Sequence, residues 1–163
     1  MTKKVFLSFH YKQDVRRVSQ VKQIGALEEQ PLLDGNGWEQ VKRGGDPAIK
    51  AWIAREMKGK VCLVVLIGST TAGRPWVEYE IKKAWSDGLG VVGVYIHGLK
   101  DPVTGTTSKG GNPFARIKYS DGSAMSAIVD AHDPQGPDVY RSIQQNIEVW
   151  IDQAIQTRGR YAR

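Results

Sequence analysis

The pattern of apolar and polar positions divides the chain into alternating strands and helices. Short continuous apolar runs predict strands over residues 5–9, 61–67 and 91–98, because strands buried on both faces of a parallel sheet lack polar alternation. Apolar residues at the 3.6-residue period predict helices over residues 14–24, 46–59, 74–88 and 137–156. Two weaker strands are predicted, one near residues 31–33 and one within residues 124–131.

Punctuating residues refine this pattern. Asp14 is predicted to cap the first helix, and Asp46 is predicted to cap the second, with Pro47 at its first position. Residues 31–45 are predicted to be loop-rich, and the role of the stretch from Trp38 to Arg43 stays open between substrate gating and assembly. Residues 99–122 form a long Gly-, Lys- and Thr-rich insertion, typical of a binding loop or a disordered segment.

Five strands alternating with helices predict a parallel sheet covered on both faces. We therefore predict one α/β domain over residues 1–163, a flavodoxin-like three-layer fold with strand order 2-1-3-4-5. In such sheets the ligand crevice opens at the carboxyl ends of the first and third strands, where the strand order reverses.

Composition narrows the class of protein. The chain has 163 residues and a formal net charge of +6, but its basic residues are scattered rather than arranged in a stripe, which argues against a nucleic-acid partner. No apolar run approaches the ~20 residues of a membrane span, and the single cysteine, Cys62, lies inside a buried strand. These features predict a cytoplasmic protein without a disulfide or a membrane partner.

Several familiar sites are excluded by their missing motifs. The turn after the first strand, "SFHYKQD", lacks the glycines of a dinucleotide fingerprint, and no P-loop motif is present. The third strand ends in "LIGST" without the acidic residue of a phospho-receiver. Three histidines and one cysteine do not have the spacing of a metal site, so no metal and no bound cofactor are predicted.

The predicted crevice collects a set of chemistry-bearing residues. Ser8, Phe9 and His10 follow the first strand, and Ser69 follows the third. The next helix begins near Arg74 and carries Trp76 and Glu80 one turn apart, at the border of its apolar face; we take these seven residues as candidate site residues.

Three stretches, "VFLSFHY", "LIGSTTAGRPWVEYEI" and "VYIHGLKD…SKGGNPF", resemble the TIR-like proteins of bacterial Thoeris anti-phage systems. The resemblance runs from Val5 to about Phe114, and its most specific parts are the W-x-x-x-E spacing and the insertion ending in "GNPF". It implies a TIR-type fold that cleaves NAD as substrate and produces a cyclic ADP-ribose signal for a separate effector protein. It also implies that Glu80 is the catalytic carboxylate. Within the insertion, Asn112 and Phe114 are interpreted either as residues that shape a turn or as substrate-binding candidates.

Residue chemistry agrees with this implication and leaves alternatives open. A carboxylate can stabilise the cationic ribose that forms when nicotinamide departs, and an aromatic side chain such as Trp76 or Phe9 can exclude water. One alternative is a TIR interaction module that assembles, as a homo-oligomer for example, without catalysis. Another is an enzyme similar to nucleoside deoxyribosyltransferases, which would exchange bases on free nucleosides.

Overall fold

A computed structural model describes residues 2–31 and 35–161 of the chain, with the backbone alone for residues 35–38. Its sheet has five parallel strands in the order β2-β1-β3-β4-β5, which confirms the predicted flavodoxin-like topology. The strands are β1 (Lys3–Ser8), β2 (Leu27–Glu29), β3 (Cys62–Ile67), β4 (Gly90–Tyr95) and β5 (Ala131–His132). The helices are α1 (Tyr11–Lys22), α2 (Gly35–Arg43), α3 (Gly45–Met57), α4 (Pro75–Ser86) and α5 (Val139–Gly159).

The helices cover both faces of the sheet and create two hydrophobic clusters. On one face Val18 of α1 and Ile147 of α5 pack against Val5 and Leu7 of β1. On the other face α3 and α4 pack against Phe6 and β3. Successive side chains of a strand point to opposite faces, so Ser8 follows Phe6 onto the α3–α4 face. None of the helices in the described part of the chain is long and apolar enough to cross a membrane.

Two predictions for the region between β1 and β3 were wrong. The second strand is Leu27–Glu29 rather than residues 31–33, of which 32 and 33 lie outside the described residues. Three paired residues on a sheet edge are too few to give a periodic pattern. Part of the predicted loop is the helix α2, whose Val41 packs against the α3–α4 cluster, so tertiary packing outweighs the low helix propensity of its glycines.

Helix starts also differ from the predictions. α1 begins at Tyr11, and Asp14 is not its cap but a fully buried side chain in its first turn, bonded to Arg17 at 3.0 Å. α3 begins at Gly45, which places Asp46 and Pro47 inside its first turn. The last strand, β5, starts at Ala131, where the predicted segment ends.

The insertion after β4 is held against the body of the protein by α1. Arg17, which is 1% exposed, donates to the carbonyl oxygens of Leu99 at 3.0 Å and Gly105 at 2.7 Å. Arg16 forms an ion pair with Asp101 at 2.9 Å, which explains why the pKa of Asp101 falls to about 2. The segment therefore has fixed contacts at its start, which its composition did not predict.

Candidate active site

A cleft of about 780 Å³ opens at the carboxyl end of β1, at the predicted reversal of strand order. Three segments line it: residues 9–12 of the turn after β1, Glu39 and Lys42 of α2, and residues 74–77 at the start of α4. Phe9, His10, Arg74 and Trp76 of the predicted set are thereby brought together.

Glu80 is not itself a lining residue; it lies on α4 one helical turn after Trp76, which is. The fully buried Ser8, which immediately precedes Phe9, donates its hydroxyl hydrogen to Glu80 Oε1 at 2.6 Å. Because Ser8 ends β1 and Glu80 lies on α4, their hydrogen bond joins these two elements.

The surroundings of Glu80 change its acid–base behaviour. Burial raises the pKa of the Glu80 carboxyl to about 8, because a charge is poorly solvated there, and the Ser8 hydrogen bond opposes that rise. At neutral pH the neutral acid is therefore the main form. A nearby positive charge would favour the carboxylate, so the state of Glu80 would respond to a cationic ligand.

Trp76 forms part of the cleft wall and packs edge-on against Tyr79, with ring centroids 5.5 Å apart. It is only partly buried, so its ring contributes both to packing and to the cleft surface. Pro75 is the first residue of α4, and Arg74 before it is extended and exposed, as expected of a residue preceding proline. The helix start thus places Trp76 in the cleft lining and Glu80 one turn further along α4.

A network of polar side chains joins the turns after β1 and β3. His10 Nδ1 lies 3.0 Å from Thr70 Oγ1, and Gln13 Nε2 donates to Ser69 Oγ at 2.6 Å. Thr70 also donates to Gln13 Oε1. Ser69 therefore contacts α1 rather than the lining of the cleft.

Two predicted substrate-binding residues lie away from the cleft. Asn112 accepts a hydrogen bond from the backbone N–H of Phe114 at 2.9 Å and caps the short 3-10 helix Pro113–Arg116. Phe114 is fully buried in the cluster on the α3–α4 face, which leaves it no surface for a ligand. Both residues shape the end of the insertion in this structure.

The structure adds Lys12 to the candidate residues, and it brings to the cleft two residues of the stretch from Trp38 to Arg43, whose role the sequence left open between substrate gating and assembly. Lys12, Glu39 and Lys42 line the cleft, and Lys42 pairs with Glu39 at 2.9 Å. The α2 residues were missed because their segment was taken as a loop. Lys12 could have been found from its position four residues after β1. Among the described residues, no group of three or more His, Cys, Asp or Glu side chains is arranged to hold a metal ion.

Two comparisons with known proteins bear on this site. The family model described as "Thoeris protein ThsB, TIR-like domain" matches residues 6–101, more than half of the chain, and this range includes Ser8, Trp76 and Glu80. A Bacillus cereus (strain MSX-D12) protein named "Putative cyclic ADP-D-ribose synthase ThsB1" is 38% identical over 134 residues, covering 77% of this chain and 69% of the relative. The chain therefore belongs to the family of the Thoeris protein ThsB and carries its TIR-like domain.

Proposed function

We propose that the chain cleaves NAD between nicotinamide and ribose and closes the remaining ADP-ribose into a cyclic product. The observation that carries this proposal is the partly buried carboxyl of Glu80, which accepts a hydrogen bond from Ser8, lies one turn after the cleft residue Trp76 and has its pKa raised to about 8. The name of the ThsB1 relative, a cyclic ADP-D-ribose synthase, supports the same reaction class.

Glu80 suits the charge that develops during this reaction. As the ribose–nicotinamide bond breaks, its electron pair moves to the ring nitrogen, so nicotinamide leaves neutral and positive charge grows on the ribose. The positive nicotinamide of bound NAD favours ionisation of Glu80, and the resulting carboxylate stabilises the cationic ribose in a poorly solvated site. One carboxylate is sufficient because the leaving group needs no proton.

The charges along the cleft suit the rest of the dinucleotide. Lys12, Lys42 and Arg74 contribute three positive charges and Glu39 one negative charge, so an excess of two positive charges faces the two negative charges of a pyrophosphate. The faces of Phe9 and Trp76 offer apolar surfaces for a base or ribose. Holding both ends of NAD in one cleft favours attack by the substrate itself over attack by water.

The biological setting forms part of the same proposal. We place the reaction in the cytoplasm, where NAD is available, and we propose that the cyclic product acts on a separate effector protein during phage infection. The oligomeric form in which the chain works is open to measurement by light scattering.

The test compares two glutamates of the same helix. Purified chain and its Glu80→Gln and Glu78→Gln variants would be incubated with NAD, with and without extract of phage-infected cells, and the products resolved by mass spectrometry. We expect Glu80→Gln to slow nicotinamide release by at least about 100-fold and Glu78→Gln, which lies on the Arg116 side of α4, to change it less than about twofold.

Three outcomes would contradict the proposal. Absence of nicotinamide release by the wild-type chain under both conditions would exclude it. Equal rates for wild type and Glu80→Gln would remove Glu80 from the reaction. Base exchange on free nucleosides without action on NAD would instead identify a nucleoside deoxyribosyltransferase-like enzyme.

A further inference from the structure

The hydrogen bonds around His10 fix which of its ring nitrogens carries a hydrogen. Gln13 Nε2 donates to Ser69 Oγ at 2.6 Å, so the amide oxygen of Gln13 faces the opposite way, towards Thr70. Thr70 donates its hydroxyl hydrogen to that oxygen. The orientation of the Gln13 amide thus determines the direction of the whole network.

A hydroxyl group has a single hydrogen, so Thr70 Oγ1 has none left for His10. The contact of 3.0 Å between Thr70 Oγ1 and His10 Nδ1 therefore needs the hydrogen on Nδ1. In a neutral imidazole the other nitrogen, Nε2, then carries a free lone pair. This lone pair is on the edge of the ring that is not bonded to Thr70, and His10 is a lining residue of the cleft.

The charged groups around His10 favour its neutral form. Burial lowers the pKa of His10 first, and the positive charges of Arg74 on α4 and Lys12 on α1 lower it further. The Asp14 carboxyl, and an interaction of the His10 ring with the nearby Gln13 side chain, raise the pKa of His10. From α2 the ion-paired Glu39 and Lys42 face the same cleft, and their charges offset each other. The net effect leaves a neutral ring at neutral pH.

We propose that His10 Nε2 is the proton acceptor for the O–H group that attacks ribose in the cleft. This inference rests on the proposed function, and it applies whether the O–H group belongs to water or to a hydroxyl of the same dinucleotide. The nucleophile's oxygen forms a bond to the ribose carbon as the bond to nicotinamide breaks, and its hydrogen passes to Nε2, giving an imidazolium ion.

The network gives Gln13 and Thr70 a defined part in this step. Neither residue lines the cleft, so each acts through His10 as a positioning residue. Thr70 accepts from Nδ1, which fixes the ring and stabilises the imidazolium that forms after proton transfer. Gln13 keeps the Thr70 hydroxyl pointed away from the ring.

The first experiment measures the tautomer directly and needs no turnover. Nitrogen-15 NMR spectra of the histidine-labelled protein contain signals from three histidines, and the His10→Asn variant assigns those of His10. We expect a protonated Nδ1 and an unprotonated Nε2 at neutral pH, and a shift towards the opposite tautomer in Thr70→Val and in Gln13→Leu. A hydrogen on Nε2 in the wild-type protein would overturn the proposal.

The second experiment measures catalysis by a variant that keeps the hydrogen-bond donor at the position of Nδ1 but lacks the acceptor Nε2. Asparagine at position 10 retains an N–H near the place of Nδ1 but has no counterpart of Nε2. We expect His10→Asn to lower kcat for nicotinamide release by about 100-fold with little change in KM, as for loss of a general base. His132→Asn, which removes a histidine stacked on Trp150 beyond the cleft, serves as the control and should leave kcat unchanged.

The outcomes separate this inference from the proposed function. Turnover by the wild-type chain with an unchanged kcat in His10→Asn overturns the role of His10 alone. Absence of turnover by the wild-type chain overturns the proposed function and the proton transfer together. The NMR spectrum of His10→Asn shows whether a lower kcat results from unfolding. If that variant is unfolded, Gln13→Leu is the test: a shifted tautomer with a lower kcat supports the role of His10, and a shifted tautomer with an unchanged kcat overturns it.

Discussion

At the scale of single residues, the Ser8–Glu80 pair shows how burial prepares a carboxyl for chemistry. The hydroxyl of Ser8 is fully buried and reaches Glu80 at 2.6 Å, whereas most acidic side chains on a helix surface face water. A carboxyl kept mainly neutral at rest can become charged when a cation arrives. We therefore expect a cationic ligand in the neighbouring cleft to change the charge of Glu80.

The raised pKa of Glu80 predicts a pH-dependent effect on stability. Between its ordinary value of 4.5 and its folded value of about 8, the folded protein holds a proton that the unfolded chain has lost. The free energy of unfolding therefore falls as pH rises through this range, and glutamine, which cannot ionise, avoids that loss. We expect Glu80→Gln to raise Tm by at least about 3 °C near pH 8.5 and to change it little near pH 4.5, measured by calorimetry.

Glu78→Gln is the matched control for this measurement. Glu78 is on the same helix and lies 3.7 Å from the exposed Arg116, and loss of such an exposed ion pair is expected to change Tm little near pH 8.5. An equal shift for both variants would show that loss of a negative charge from α4, and not burial of Glu80, determines the effect.

At the scale of elements, the turn between β3 and α4 is enclosed from two sides. On one side a Cβ on Gly68 would lie 2.0 Å from Asp14 Oδ2, and on the other a Cβ on Gly110 would lie 2.3 Å from Gly68 O. Gly68 N also donates to Thr71 Oγ1 at 2.8 Å. The buried acid of α1 and the backbone of the insertion therefore hold the segment that leads into α4.

Two neighbouring glycines of the insertion allow a matched test of this packing. Gly110→Ala would overlap with the backbone of Gly68, whereas a Cβ on Gly111 meets only Ala72 Cβ, at 3.7 Å. We expect Gly110→Ala to lower the free energy of unfolding by about 1–3 kcal/mol and Gly111→Ala to leave it nearly unchanged, measured by urea denaturation. Similar stabilities for the two variants would show that the insertion does not press on the turn.

The sequence predicted elements well where packing repeats along many residues. The buried run at β3 and the apolar face of α4 (Val77, Ile81 and Ala84) give unambiguous patterns. The edge strand β2 has three residues and α2 contains glycines, so neither gives a clear periodic pattern. Both elements depend on contacts with residues that are distant in sequence. The W-x-x-x-E spacing was sufficient to put Trp76 and Glu80 one turn apart on one helix. The contribution of α2 to the cleft depends on tertiary packing, so the sequence pattern did not predict it.

At the scale of the whole molecule, the net positive charge of the chain extends to the lining of the cleft. The chain has a formal charge of +6, and the cleft lining has three positive charges, from Lys12, Lys42 and Arg74, against one negative charge, from Glu39. Apolar walls focus such a field, because fewer water molecules screen it. Net charge therefore contributes to ligand attraction mainly through its placement.

Two lysine variants separate placement from total charge. Lys12→Glu and Lys58→Glu change the net charge equally, but Lys58 follows α3 and precedes the amino end of β3, whereas the cleft opens at the carboxyl end of β1. We expect Lys12→Glu to raise KM for NAD by about fivefold or more at low salt, less at high salt, and Lys58→Glu to have little effect. Nicotinamide release at several salt concentrations gives these values, and equal effects would assign the attraction to net charge alone.

The enclosure of the β3–α4 turn also bears on how the cleft can adapt to ligands of different size. Its α4 wall follows a turn that is packed between Asp14 on one side and Gly110 on the other. Its α2 wall packs mainly on α3. We therefore expect the α4 wall to be the more rigid of the two and the α2 wall to be the more mobile. We expect α2 to carry any adjustment to the ligand, while α4 and Glu80 keep their positions. Substitutions in α2 should then change which dinucleotides are accepted without changing how the bond is broken.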